Sequence, residues 1–282
     1  MSHFVSFESL INKDMNDTLE ILVQKANKGD RKSLENVVIK VKDYIYNLSL
    51  KMLLYPEDAE DATQEILIRM ITHLSTFNHK SKFTTWVYTI ATNYLLTYKG
   101  KQAREFIMPF DDYEKLIDNG HSSSIQYTTN EGELFLLEEE VKVSCTQGLL
   151  LCLKPIDRMI YILSEVLEFN SIEGSEIMRI SSDNFRKKLS RSRIKIRNFL
   201  HNKCGIANPK NPCRCNKKID FLINQKIITP TDLRFAKFSK RSIDLVDKLG
   251  ELEKSIAIYR SVSKVTAPEK IFNSVKQILA ID

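Results

Sequence analysis

Between Ser182 and Leu200 the chain places seven bases, Arg186, Lys187, Lys188, Arg191, Arg193, Lys195 and Arg197, against one acid, Asp183. Guanidinium and ammonium groups at this density are suited to phosphate oxygens. Leu189, Ile196, Phe199 and Leu200, with Phe185 at their start, add an apolar stripe at helical spacing. One side of such a helix packs and the other carries charge. A shorter helical pattern and a tight turn come first, in SIEGSEIMRISSDNFRKKLSRSRIKIRNFL at 171–200. This is the order of a helix-turn-helix, whose second helix enters the DNA major groove. Ser182, Asp183, Asn184, Arg186 and Lys187 then stand at the helix start, where base edges are reached, with Ser182 also expected as the N-cap. Arg191, Arg193 and Lys195 lie further along, where contacts go to phosphates, which position without specifying sequence. The bland alternative is a solvated basic face.

Two other groups of residues could do chemistry. Asp61, Gln64 and Glu65 are three and four apart, so a helix would put them on one face, acidic and suited to a basic partner. The alternative is ordinary placement of acids at a helix start. His201, Cys204, Cys213 and Cys215 form H-x2-C-x8-C-x-C, a set that could hold tetrahedral zinc, although the spacing is not that of a common finger. Reduced, unligated cysteines are the alternative, and Cys145 and Cys152 read as helix-face packing residues. The histidines at 3, 73, 79, 121 and 201 are scattered, and neither a glycine-rich phosphate loop nor an HExxH motif occurs. Nothing here reads as a catalytic constellation, so the chain is read as a binding protein and not an enzyme.

The elements that carry these residues are helical. Of 282 residues 43% are hydrophobic, enough for real cores, and glycine and proline are few. Apolar residues recur three and four apart and long strand alternation is missing, so an all-α fold is expected. Residues 1–18 read as a loosely ordered tail. Residues 19–54 read as two helices broken at Gly29-Asp30, the second carrying Val37, Val41, Tyr44, Ile45, Leu48 and Met52. Pro56 opens a third, a polar turn spans Asn78 to Lys82, and a fourth follows with Phe83, Trp86, Val87, Ile90 and Tyr94 on one face. Periodicity fades over 105–130, resumes near Leu134, and Pro155 opens the helix that leads into the helix-turn-helix.

The net charge of +6 hides a separation along the chain. Residues 182–218 hold twelve bases and one acid, whereas 111–140 hold nine acids and one base. A polyanion-binding module beside an acidic segment is implied. Residues 105–147 read as a flexible acidic linker. After a turn-rich, cysteine-containing stretch, 219–282 read as one last helical unit. Ile243, Val246, Leu249, Leu252, Ile256 and Tyr259 form its stripe, and Thr266 and Glu269 stand at capping-box spacing around Pro268. No apolar stretch reaches membrane-spanning length, and no basic start precedes an apolar run. A soluble, cytoplasmic chain without membrane insertion is expected. Five cysteines do not suggest a disulfide framework.

In order and spacing, three segments resemble bacterial RNA polymerase sigma factors, most closely the extracytoplasmic-function (ECF) type. DAEDATQEILIRMITHLSTF at 58–77 is similar to that family's polymerase-binding helix, FTTWVYTIATN at 83–93 to its promoter-melting helix, and ISSDNFRKKLSRSR at 180–193 to its recognition helix. The resemblance implies region 2 at 19–104 and region 4 at 148–202, with 203–282 as an added extension. It implies that Asp61, Gln64 and Glu65 meet the clamp helices of the polymerase's largest subunit. It also implies that the turn Asn78, His79, Lys80 and Lys82 contacts the melted −10 strand; Trp86 is read either as a further strand contact or as core. Ser182, Asn184, Arg186, Lys187, Arg191 and Arg193 would serve the −35 element. Core RNA polymerase and promoter DNA are the implied partners, an anti-sigma factor a further candidate. The acidic linker would thread toward the RNA exit path or act as a tether. Some positions depart from the family pattern: Thr92, Thr97 and Gly100 near the melting helix's end, and Gly174 and Arg179 where an isoleucine and a glycine are usual. A polymerase-independent helix-turn-helix regulator, or a decoy that occupies polymerase without opening promoters, remain the alternatives.

Overall fold

The computed structural model of the chain describes residues 18–98, 108–120, 127–233 and 266–278. Helices and loops make up all of these residues, with no strand among them, as the apolar spacing required. They fall in two compact units. The first takes in the described residues of Met1–Gly100, Ser175–Arg179 and Thr266–Asp282, and the second those of Lys101–Gly174 and Ile180–Val265.

In the first unit, α1 (residues 18–27) stops at Gly29, whose φ of 93° suits a residue without Cβ. Asp30 then caps α2 (Arg31–Leu53): its carboxylate accepts from the Lys32 amide at 3.2 Å and the Ser33 hydroxyl at 2.6 Å. Val37, Val41, Ile45, Leu48 and Met52 are buried along α2, with Tyr44 half-buried beside them. Helix α3 (Pro56–Thr72) opens on its proline and packs against both α2 and α4 (Phe83–Thr97). Ala59, Ala62, Ile66, Leu67 and Met70 fill the centre of this bundle. Thr92, one of the departures noted above, is enclosed in the same core.

The second unit contains α5 (Phe110–Asn119), α6 (Glu131–Leu151), α7 (Pro155–Tyr161) and a π-helical turn at Ile162–Val166. Then come α8 (Ser171–Met178), whose residues from Ser175 fall in the first unit, α9 (Ser182–Lys203) and α10 (Ile219–Asn224). The expected flexible linker is corrected here: most of it is folded helix, and the expected boundary at 147–148 falls inside α6. The reason is that its acids alternate with residues that pack. Tyr113 and Ile117 are buried on α5, and Leu137 and Val141 on α6 join Ile219 and Ile228 in one cluster. Even Glu139 and Glu140 are buried, Glu139 paired with Lys142. The orphan carbonyls at the end of α6 are met by the buried Arg158 of α7, which donates to Leu150, Leu151 and Leu153 at 3.0–3.2 Å.

The extension is not one unit. Its first part, to Leu233, packs against α6 in the second unit, whereas α11 (Glu269–Ile278) packs on α2 and α3 in the first. The stripe expected at 243–259 and nearly all of the expected 1–18 tail lie outside the described residues.

Candidate nucleic-acid and protein-binding surfaces

The N-terminus of α9 is built by Ser181, whose hydroxyl accepts from the Asn184 amide at 3.3 Å. The cap is therefore one residue earlier than expected. Ser182 instead donates to the Ser171 carbonyl at 3.4 Å and accepts from Arg186 Nη1 at 3.0 Å, tying the start of α8 to the start of α9. Arg186 also pairs with Asp183, both groups largely exposed. In the turn, Arg179 adopts φ 52°, the conformation a glycine takes freely. The other departure is compensated. A Cβ at Gly174 would stand 2.4 Å from the ring of Phe185, so the space a side chain at 174 would take is filled here by phenylalanine.

Asn184, Arg186, Lys187, Arg191, Lys195 and Arg197 are exposed on α9. Two of the seven bases are occupied otherwise. Arg193 Nε donates to the buried Glu165 carboxylate at 2.9 Å, and Lys188 reaches Asp157 at 3.1 Å. These pairs brace α9 against α7 and the π-turn, so Arg193 is first a strut, although its side chain keeps 43% exposure. Spacing alone gave no signal of this, because Glu165 lies 28 residues away.

On α3, Asp61 is exposed and Gln64 and Glu65 are half-buried. Glu65 pairs with Arg69 at 2.9 Å, and the Arg69 guanidinium lies 4.6 Å from the centre of the Tyr94 ring. Tyr98 donates to Asp58 at 3.2 Å, and burial with that carboxylate raises the phenol's pKa. The face is thus acidic, and braced by α4 and the residue that follows it.

The turn before α4 exposes Asn78, His79, Lys80 and Lys82. Asn78 Oδ1 accepts from the Lys80 amide at 3.2 Å, and His79 takes φ 58°, a left-handed conformation of tight turns. Its ring stands 4.5 Å from Phe77, and Phe77 in turn meets Phe83 and Trp86. Trp86 stacks on Phe83 at 5.5 Å and is half-buried, so it shares in the core and also keeps some open surface. Exposed rings and bases beside an aromatic cluster are what an unstacked nucleic-acid strand can use.

Cys204, Cys213 and Cys215 line one cavity, joined by Cys145 from α6, which spacing could not associate with them. His201 is not in its lining; its carbonyl accepts from the side-chain amides of Asn208 and Asn211. Among the described residues no three His, Cys, Asp or Glu side chains are grouped to hold a metal ion. Burial pushes the Cys145 thiol up to about 12 and raises Cys213 and Cys215, which favours the protonated thiols.

Among the described residues no helix is long and apolar enough to cross a membrane. Residues 37–105 match the family described as Sigma-70 region 2. Over 183 residues the chain is 28% identical to the ECF RNA polymerase sigma factor SigW of Bacillus subtilis, a match covering 63% of this chain and 94% of that protein. Over 126 residues it is 28% identical to the ECF RNA polymerase sigma-E factor of Escherichia coli K12, covering 44% of this chain and 64% of that protein. The solved structure of the sigma factor RpoE with the anti-sigma factor NepR from Bartonella quintana is similar at TM-score 0.41 and 17% identity, over 60% of this chain and 97% of that one.

Proposed function

We propose that this chain, which matches sigma-70 region 2 over residues 37–105 and is similar to ECF sigma factors, is a sigma factor of that type and directs core RNA polymerase to promoters. One observation carries the reading. The chain that matches region 2 over 37–105 also presents, after a helix-turn-helix turn, an α9 with Arg186, Lys187 and Arg191 exposed.

The division of labour follows from the surfaces. The α3 face with Asp61, Gln64 and Glu65 takes up the basic clamp helices of the polymerase. Asn78, His79, Lys80 and Lys82, with the open edge of Trp86, hold the melted −10 strand, which gains stacking and charge that duplex cannot offer. Asn184 and Arg186 read −35 base edges from the start of α9, while Lys187, Arg191, Lys195 and Arg197 hold phosphates. The protein supplies recognition and strand capture, the polymerase the bond-forming chemistry. It works in the cytoplasm, where its two partners are, and an anti-sigma factor is a further candidate.

The test is transcription by purified core polymerase, with and without the protein, on fragmented genomic DNA with RNA 5′ ends mapped. New starts sharing −10 and −35 motifs are expected. No new starts with polymerase binding intact would point to a decoy, and no binding at all to a polymerase-independent regulator.

A further inference from the structure

Helix α11 is held on the same bundle that carries the polymerase-facing residues. Ala267, Ile271 and Val275, four residues apart, are almost fully buried against α2 and α3. Three polar ties frame them. The Ala267 amide donates to Asp43 Oδ1 at 2.9 Å, Lys276 pairs with Glu35 at 3.0 Å, and Lys270 pairs with Glu60. Glu60 adjoins Asp61 in α3. The hydrogen bond to Glu60 raises the Lys270 pKa, and the charges of Glu60, Glu57 and Asp61 add to it. A lysine of the chain itself therefore sits in the acidic field that a basic partner would use. The seat is small: one alanine, one isoleucine, one valine and surface ion pairs, which are individually weak.

We propose that α11 is a displaceable segment that competes with core RNA polymerase for the acidic side of α3 and so restrains the protein. The groove between α2 and α3 is its docking surface, and residues 266–278 are the occupant. Lys270 neutralises part of the charge that would steer a basic partner in. Polymerase binding and α11 docking then oppose each other, and whatever releases α11 raises the protein's activity. This rests on the sigma-factor reading above.

The experiment measures affinity for purified core polymerase using the full chain and three full-length variants. The double variant Ile271→Asp/Val275→Asp removes the apolar seat, Lys276→Glu repels Glu35, and Lys276→Glu with Glu35→Lys restores the pair in reverse. Glu35 and Lys276 are distant in sequence from the polymerase-facing residues. The double variant is expected to bind polymerase about five- to tenfold tighter, and Lys276→Glu about two- to threefold tighter. The charge swap should return to the wild-type value, which a merely structural loss would not do. A synthetic peptide of residues 266–282, added to the Ile271→Asp/Val275→Asp protein, should bind it and lower its polymerase affinity. Unchanged or weaker polymerase binding by both released variants, with the wild type binding, overturns α11 as a competitor and leaves the sigma reading standing. No polymerase binding by any form overturns the sigma reading, and this proposal with it.

Discussion

Arg186 and Arg191 are both exposed on α9, and the proposed function gives them different work. Arg186 is in the first turns and is aimed by Ser182 and Asp183. Arg186→Ala is expected to cost about 1–3 kcal/mol in binding at one −35 base position, whereas Arg191→Ala should weaken all sequences alike and reduce the salt slope by about one. Gel-shift titrations on single-base promoter variants separate the two. Gly174 and Phe185 act as a pair: Gly174→Ala should destabilise the second unit by about 1–3 kcal/mol in urea melts, and Phe185→Leu should recover part of that loss. The departure at 174 was legible in the sequence, but its compensation was not. The two lie eleven positions apart, and only the folded turn brings the ring over the glycine. Ser181 shows the limit of sequence reading at one residue. Both serines suit a cap, and the backbone conformation decides between them.

At the scale of elements, the helices that hold the site were legible where apolar periodicity was strong, as on α2, α3 and α9. Helices α5 and α6 were not fully legible, because their acids mask short apolar stripes that gain meaning only in packing, that of α6 against Ile219 and Ile228 and that of α5 against α9. Helix α2 also carries a cost that no pattern announces. Lys51 is fully buried, and desolvation lowers its pKa from 10.5 to about 7. In the unfolded chain the amine keeps its proton to about pH 10.5. Between the two values the unfolded state binds more protons, so stability rises with pH across that window, and the full cost of a buried charge is felt below pH 7. Compared with Lys51→Met, the wild type is expected to gain about 2 kcal/mol of stability between pH 6 and 9. Urea melts at both values measure it; parallel curves for the two proteins would remove Lys51 as the cause. On α9, Arg193→Ala removes the guanidinium that pairs with the buried Glu165 carboxylate and should cost about 1–3 kcal/mol of stability. Thermal melts would show this loss even without DNA, which distinguishes the strut from a phosphate contact.

For the whole molecule, charge separation along the chain becomes division between surfaces. Under the proposed function, the exposed bases of α9 should make promoter binding salt-sensitive. A plot of log affinity against log salt should fall with a slope of about −3 to −5 if four or five phosphates are held. The sequence by itself determined the all-α class, the helix-turn-helix, the acidic α3 face and the basic α9 face. Each of these is written locally, in residues three or four apart, so one helix suffices to express it. Tertiary structure decided what depends on residues far apart. It turned Arg193 and Lys188 into braces, made the acidic linker a packed part of the second unit and brought Cys145 to the other thiols. It also divided the extension, sending its start to α6 and α11 to the bundle of α2 and α3. Burial and pairing of this kind arise between segments, and a stripe on one helix does not say which surface will cover it.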